Sequence, residues 1–234
     1  MINSTEQKEL NHSAFTLKTS TSLLEAKNIS HEFDYPLFQD ISFELNCGKS
    51  IAIIGVSGSG KSTLLNILSS LLEPQNGTVI YNDEDLYSLK NDKLLNIRRR
   101  DFGIIFQAHY LFRGFSADEN LEIASLLSDK KVDDNLLESL NIKHVMKQGV
   151  GELSGGQQQR LSIARILTKN PRIIFADEPT GNLDKQTASE VMNTLFDYIH
   201  TNSAGLILVT HEDEMAYECD KVYKLVDLKL EELK

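Results

Sequence analysis

Gly55-Val56-Ser57-Gly58-Ser59-Gly60-Lys61-Ser62-Thr63 is the stretch of this chain whose residue types and spacing are best suited to chemistry. It follows the apolar run Ile51-Ala52-Ile53-Ile54 and leads into Leu64-Leu65, so the order is strand, glycine-rich loop, helix. Glycines let such a loop turn its backbone N–H groups inward around polyphosphate, and the helix that follows adds the positive end of its dipole. Lys61 would reach the β- and γ-phosphates, and the Ser62 hydroxyl is placed to ligate a Mg²⁺ ion bridging them. A flexible glycine-serine turn could match by accident, but the flanking strand and helix favour phosphate binding. The loop alone implies a nucleoside triphosphatase or a kinase.

Other chemistry-bearing residues also follow apolar runs. Ile173-Ile174-Phe175-Ala176 ends in Asp177-Glu178. Asp177 can hold the metal directly or through a water, and Glu178 beside it can orient an attacking water as general base. A buried acidic pair with no ion nearby is costly, so reading the two as plain surface carboxylates requires an exposed strand end. Gln107, after Phe102-Gly103-Ile104-Ile105-Phe106, could bond both Mg²⁺ and the attacking water, or be an ordinary loop glutamine. His211, after Leu206-Ile207-Leu208-Val209-Thr210, could donate to the γ-phosphate; its place after a strand separates it from the other histidines. Phe33 offers a ring that stacks on a nucleotide base or simply fills core.

The elements that must position these groups alternate. Residues 22–46 read as a pair of strands ahead of the loop, with Leu24, Ala26, Phe38, Ile41, Phe43 and Leu45 in partial alternation. Leu64, Leu68 and Leu71 predict a helix stopped by Pro74 and Asn76-Gly77, and Thr78-Val79-Ile80-Tyr81 a short strand. Leu86 to Arg100 is amphipathic. From Ala108 to Lys147 the strand pattern disappears: Leu121, Ala124 and Leu127 predict one helical face, and Leu136, Leu137 and Leu140 another. Ser154, with Gln157 three residues on, is a capping box that opens a further helix carrying Leu161, Ala164 and Leu167. Strands alternating with helices argue for an α/β sheet with its ligand at the carboxyl ends of the strands.

Leu153-Ser154-Gly155-Gly156-Gln157, with the phosphate loop before it and Ile173 to Pro179 after it, resembles the nucleotide-binding subunit of an ATP-binding cassette (ABC) transporter. The resemblance runs from about residue 23 to residue 226. It implies a P-loop fold of ABC type: a mostly parallel core sheet, an N-terminal antiparallel β region and a helical subdomain inserted over about residues 108–168. One ATPase domain would then span 23–234, after a mobile extension over 1–22. It further implies ATP as substrate with Mg²⁺, a D-loop at Gly181-Asn182-Leu183-Asp184, Phe33 on the base, and His211 as a switch histidine. In this family Ser154, Gly155, Gly156 and Gln157 face the γ-phosphate held by a second subunit, so two ATP molecules are sandwiched in a head-to-tail dimer. The segment Ala176 to Asp184 is similar to the lipoprotein-release (LolD), macrolide-export (MacB) and cell-division (FtsE) group, whose members sit on the cytoplasmic face of a bacterial inner membrane and drive membrane permease subunits. Phe33 stands where many relatives have tyrosine, Glu212 where aspartate is common, and Asp227-Leu228-Lys229 lacks the usual glycine turn.

Composition narrows the partners. A net charge of −10 argues against holding nucleic acid through its phosphates. The run Arg98-Arg99-Arg100 reads as a solvated helix end that complements the helix dipole. Cys47 and Cys219 form no metal spacing and no disulfide framework, which fits a reduced cytosol. No signal peptide is evident, and no apolar stretch of 18 residues could span a bilayer. The chain is too short for two such domains in tandem, so a second one must come from another chain, expected to be an identical copy. Competing readings are a cell-division-type subunit that transmits motion, a soluble ABC ATPase not coupled to transport, and a small-molecule kinase, which would have no use for the motif at Leu153.

Overall fold

Three apolar runs without polar interruption, β3 (Ser50–Ile54), β7 (Ile173–Asp177) and β8 (Gly205–Val209), form the centre of the protein. A strand with no polar face must be covered on both sides, which suits a parallel sheet flanked by other layers. In the computed structural model, which describes residues 22–181 and 183–234, these strands pair in parallel with one another, and β6 (Phe102–Ile105) adds in parallel to β7. β9 (Lys221–Val226) lies parallel to β3, and β10 (Lys229–Glu232) closes the edge antiparallel to it, giving the order β10-β9-β3-β8-β7-β6. The expected leader, apart from Ser22, and Asn182 of the expected D-loop lie outside the described residues.

The sheet separates two cores by the alternation of its side chains. Ile51, Ile53, Phe175 and Ile207 face a second, antiparallel sheet and α1 (Lys61–Leu68). Ala52, Ile54, Ile174 and Leu208 face the helical side, including α5 (Gly155–Leu167) and α6 (Lys185–Asn202). The second sheet has the order β2-β1-β4-β5, from β1 (Ser22–Glu32), β2 (Pro36–Asn46), β4 (Asn76–Tyr81) and β5 (Glu84–Asp85). Thus the strand predicted after the first helix returns to the N-terminal sheet, where Leu24 pairs with Tyr81. Beyond β6 come α3 (Ala117–Ser128) and α4 (Asp134–Ser139), followed by α5.

Several local expectations need correction. α1 stops at Leu68, and Leu71 is exposed, because Ser70 adopts a left-handed conformation at φ 67°. On α3 the buried face is Ala117, Leu121, Ala124 and Ser128, while Leu127 points outward. The arginine run ending α2 (Asn91–Arg100) is more than a solvated end: Arg98 Nε donates to Ser70 Oγ at 2.9 Å, and Arg99 donates to the Leu127 carbonyl. The β9–β10 turn manages without glycine by placing Asp227 and Leu228 at φ 45° and 65°, and the Leu228 carbonyl accepts from Gln39 N at 2.8 Å. A leucine there carries a steric cost that the tie to β2 helps to offset.

Candidate active site

The loop after β3 closes onto α1 through Gly60, whose φ of 99° no L-residue adopts comfortably and whose missing Cβ would lie 3.2 Å from Leu37 and Phe38. Gly60 is the N-cap of α1, so the unpaired amides of the first helical turn point into the loop. Lys61 is buried, and its Nζ donates to the carbonyls of Gly55 and Val56, each at 2.9 Å. The ammonium is therefore held inside the loop by the loop's own carbonyls.

Four strand ends converge on one cleft of about 460 Å³. β3 supplies Ser57, Gly58, Gly60, Lys61, Ser62 and Thr63 through its loop, β6 supplies Gln107, β7 supplies Asp177 and Glu178, and β8 supplies His211. Phe33, on the tip between β1 and β2, stands exposed at the mouth. Gly55 and Ser59 of the same loop are not among the residues that line the cleft. The four-residue set Ser154, Gly155, Gly156 and Gln157 does not reach the cleft of its own chain. It forms the N-terminus of α5, where Ser154 Oγ accepts from Gln157 N at 3.3 Å and Gln157 Oε1 accepts from Ser154 N at 2.8 Å. Gly155 is exposed, and a Cβ there would meet nothing within 4 Å.

The acidic pair is differentiated by its surroundings. Ser62 Oγ donates to Asp177 Oδ1 at 3.1 Å, yet burial, reinforced by the neighbouring Glu178 charge, raises the Asp177 carboxyl above the usual aspartate range. Glu178 takes a left-handed conformation at φ 49°, and its N–H donates to the Val209 carbonyl at 2.9 Å. Its Oε2 lies 2.9 Å from His211 Nδ1 and accepts from Thr210 Oγ1 at 3.4 Å. The hydrogen bond and charge of Glu178 raise the His211 imidazole above its ordinary value. His211, expected on a phosphate, thus sits against the carboxylate.

A hydroxyl and a carboxylate held together beside a lysine-bearing loop are hard oxygen donors too few to enclose a cation alone, which matches an ion completed by phosphate oxygens and water. Among the described residues no group of three or more His, Cys, Asp or Glu side chains forms a self-sufficient metal cage. Sequence reasoning missed Tyr35 and Thr210. Tyr35 shares the hairpin tip and cleft wall with Phe33, and a second aromatic two residues on was the available signal. Thr210 had none beyond adjacency to His211.

A family model described as ABC transporter matches residues 38–181. The chain is 41% identical over 217 residues to the lipoprotein-releasing system ATP-binding protein LolD of Rickettsia felis, covering 88% of this chain and 96% of that protein. It is 37% identical over 216 residues to the macrolide export ATP-binding/permease protein MacB of Wolinella succinogenes, covering 88% of this chain but 33% of that one. Among solved structures it is similar to a dimeric bacterial ABC transporter cassette, MJ0796, with a TM-score of 0.81, 30% identity, and coverage of 91% and 99% of the two chains. A dimeric post-hydrolysis state of the same cassette, bound to ADP and Pi, gives a TM-score of 0.79.

Proposed function

This chain belongs to the ABC transporter family as an ATP-binding ATPase subunit, and from that premise we propose that it hydrolyses ATP only within a head-to-tail dimer that drives membrane permease subunits. The observation that carries this reading is the split of its own motifs. The phosphate loop, Gln107, Asp177, Glu178 and His211 share one cleft, while Ser154 to Gln157 open an exposed helix N-terminus outside it. Such an N-terminus suits an anion, and the γ-phosphate in a second copy's cleft is the anion the family resemblance supplies.

Within each cleft, Lys61 and the loop amides bind the β- and γ-phosphates, and Phe33 stacks on the base. Ser62, Asp177 and Gln107 would hold Mg²⁺, which supplies charge neutralisation at the phosphates. Glu178 accepts a proton from water as its oxygen attacks the γ-phosphorus, the bond to the β–γ bridging oxygen breaks, and that oxygen leaves on ADP. His211, freed from Glu178, donates to the γ-phosphate. Losing that phosphate removes the clamp between the two copies.

For the membrane partner, the resemblance to LolD and MacB proteins supports lipoprotein release or macrolide export at the cytoplasmic face of an inner membrane. No helix among the described residues is long and apolar enough to cross a membrane. Exposed Tyr110, Phe112 and Phe115, in the segment leading into α3, give permease loops an apolar face on which to dock. Phosphate release measured across a protein dilution series tests the composite site. The rate per chain should fall as the dimer dissociates, and a constant rate per chain would overturn the proposal.

A further inference from the structure

α5 has a second attachment that its exposed N-terminus does not reveal. Gln159 lies one turn into this helix with only 2% of its surface exposed, and its Nε2 donates to the Pro179 carbonyl at 2.6 Å. A proline carbonyl can only accept, which fixes the orientation of the amide. Gln159 Oε1 accepts no hydrogen bond among the described residues, so this is the side chain's single polar tie. Pro179 directly follows Glu178, the residue held at φ 49°. Farther along, Ser162 Oγ donates to the His109 carbonyl at 3.0 Å and Arg165 Nη1 to the Tyr110 carbonyl at 2.8 Å, just after Gln107. One helix therefore mounts the backbone beyond both residues that would face the attacking water.

We propose that Gln159 is a positioning residue: it pins the Glu178-Pro179 turn to α5, so that the general base in one cleft follows the helix end that serves the other copy's ATP. The coupling between copies rests on the composite-site reading above. Ser154 and Gln159 are separated by less than two turns of one helix, so a displacement of the N-terminus is carried to the amide with little loss. Misplacement of a reacting group by about 1 Å costs on the order of 100-fold in rate, whereas ground-state nucleotide binding does not depend on Glu178.

The test uses two substitutions in the full chain. Gln159→Met keeps the volume and loses the donor; kcat should fall about 10- to 100-fold with KM for ATP within about threefold. Gln159→Glu restores a donor only when its carboxyl is protonated, which burial favours. Its kcat should approach the wild-type value at pH 6 and fall at least about tenfold further than wild type by pH 9. A Gln159→Met kcat within about twofold of wild type, or a Gln159→Glu profile parallel to wild type, overturns the role. Should Gln159→Met not fold, the Gln159→Glu profile decides alone. Separately, absence of an ATP-dependent dimer for Glu178→Gln overturns the composite-site reading, whereas retention of that dimer when Gln159→Met is added supports a role in positioning and not in assembly.

Discussion

His211 Nδ1 lies 2.9 Å from Glu178 Oε2, with the imidazole 65% exposed and the carboxylate 14% exposed. The side chain expected to serve the phosphate is thus the partner of the expected base. Because the folded protein raises the histidine above its ordinary value, it holds that proton more tightly than the unfolded chain does. The stabilisation is fully present below about pH 6.5 and is lost as pH rises through the raised value. The advantage in Tm of wild type over His211→Gln should therefore be larger at pH 6 than at pH 9. Equal differences at both would exclude a charged pair.

Asp177 behaves in the opposite sense to a stabilising ion pair. Burial raises its carboxyl, so the folded state favours the protonated form, and stability declines as pH rises through the ordinary carboxylate range and the raised value. Asp177→Asn can still accept from Ser62 while carrying no charge. At pH 7 it should raise the Tm of the nucleotide-free protein and lower ATP turnover more than about 100-fold. An unchanged or lower Tm would show that the aspartate charge is not strained there.

Glu178→Gln retains the shape of the side chain and removes its basicity. Loss of a general base costs on the order of 10²- to 10⁴-fold in kcat. If the γ-phosphate is what clamps two copies, blocking its removal should accumulate a dimer in ATP, visible by size-exclusion chromatography and absent in ADP. A variant that stays monomeric in ATP contradicts the clamp.

Gly60→Ala tests the loop's geometry without altering its charge. An alanine at φ 99° carries roughly 1–2 kcal/mol of strain, and its Cβ would press on Leu37 and Phe38 at 3.2 Å. ATP affinity should drop on the order of tenfold. Lys61→Ala, which removes a buried ammonium, should weaken it further. Equilibrium binding of a fluorescent ATP analogue measures both, and wild-type affinity for Gly60→Ala would mean that the loop can relax.

Much of this was legible because strands buried on both faces leave long apolar runs, and each run here ends at a residue capable of chemistry. Ile173 to Ala176 and Leu206 to Val209 gave both the parallel sheet and the convergence of Asp177 and His211 at its carboxyl edge. Return of Thr78–Tyr81 to the N-terminal sheet was not legible, since a short strand carries no record of its partner. Neither was the tie from Arg98 to Ser70, which depends on where α1 and α2 end in space. The pairing of His211 with Glu178 was hidden for the same reason: 33 residues separate them along the chain, and only the adjacency of β7 and β8 unites them. Gln159 is the last of three consecutive glutamines, and periodicity does not say which of them turns inward.

Phe33 and Tyr35 both stand exposed at the cleft mouth, yet only one of them is visibly oriented. His31, buried beneath the hairpin, meets the Phe33 ring edge to face, with centroids 4.9 Å apart and planes at 84°. A ring fixed this way offers its face to a base with little ordering still to be done on binding. Stacking contributes roughly 1–3 kcal/mol per base and tolerates any base, because every base has a π face. Phe33→Ala should therefore weaken ATP and GTP alike, by about tenfold, while leaving the affinity for inorganic triphosphate unchanged. Competition against a fluorescent nucleotide would separate the cases: an equal loss for triphosphate would place the effect in the phosphate loop, through Phe38 and Gly60, and retained ATP affinity would move the stacking role to Tyr35.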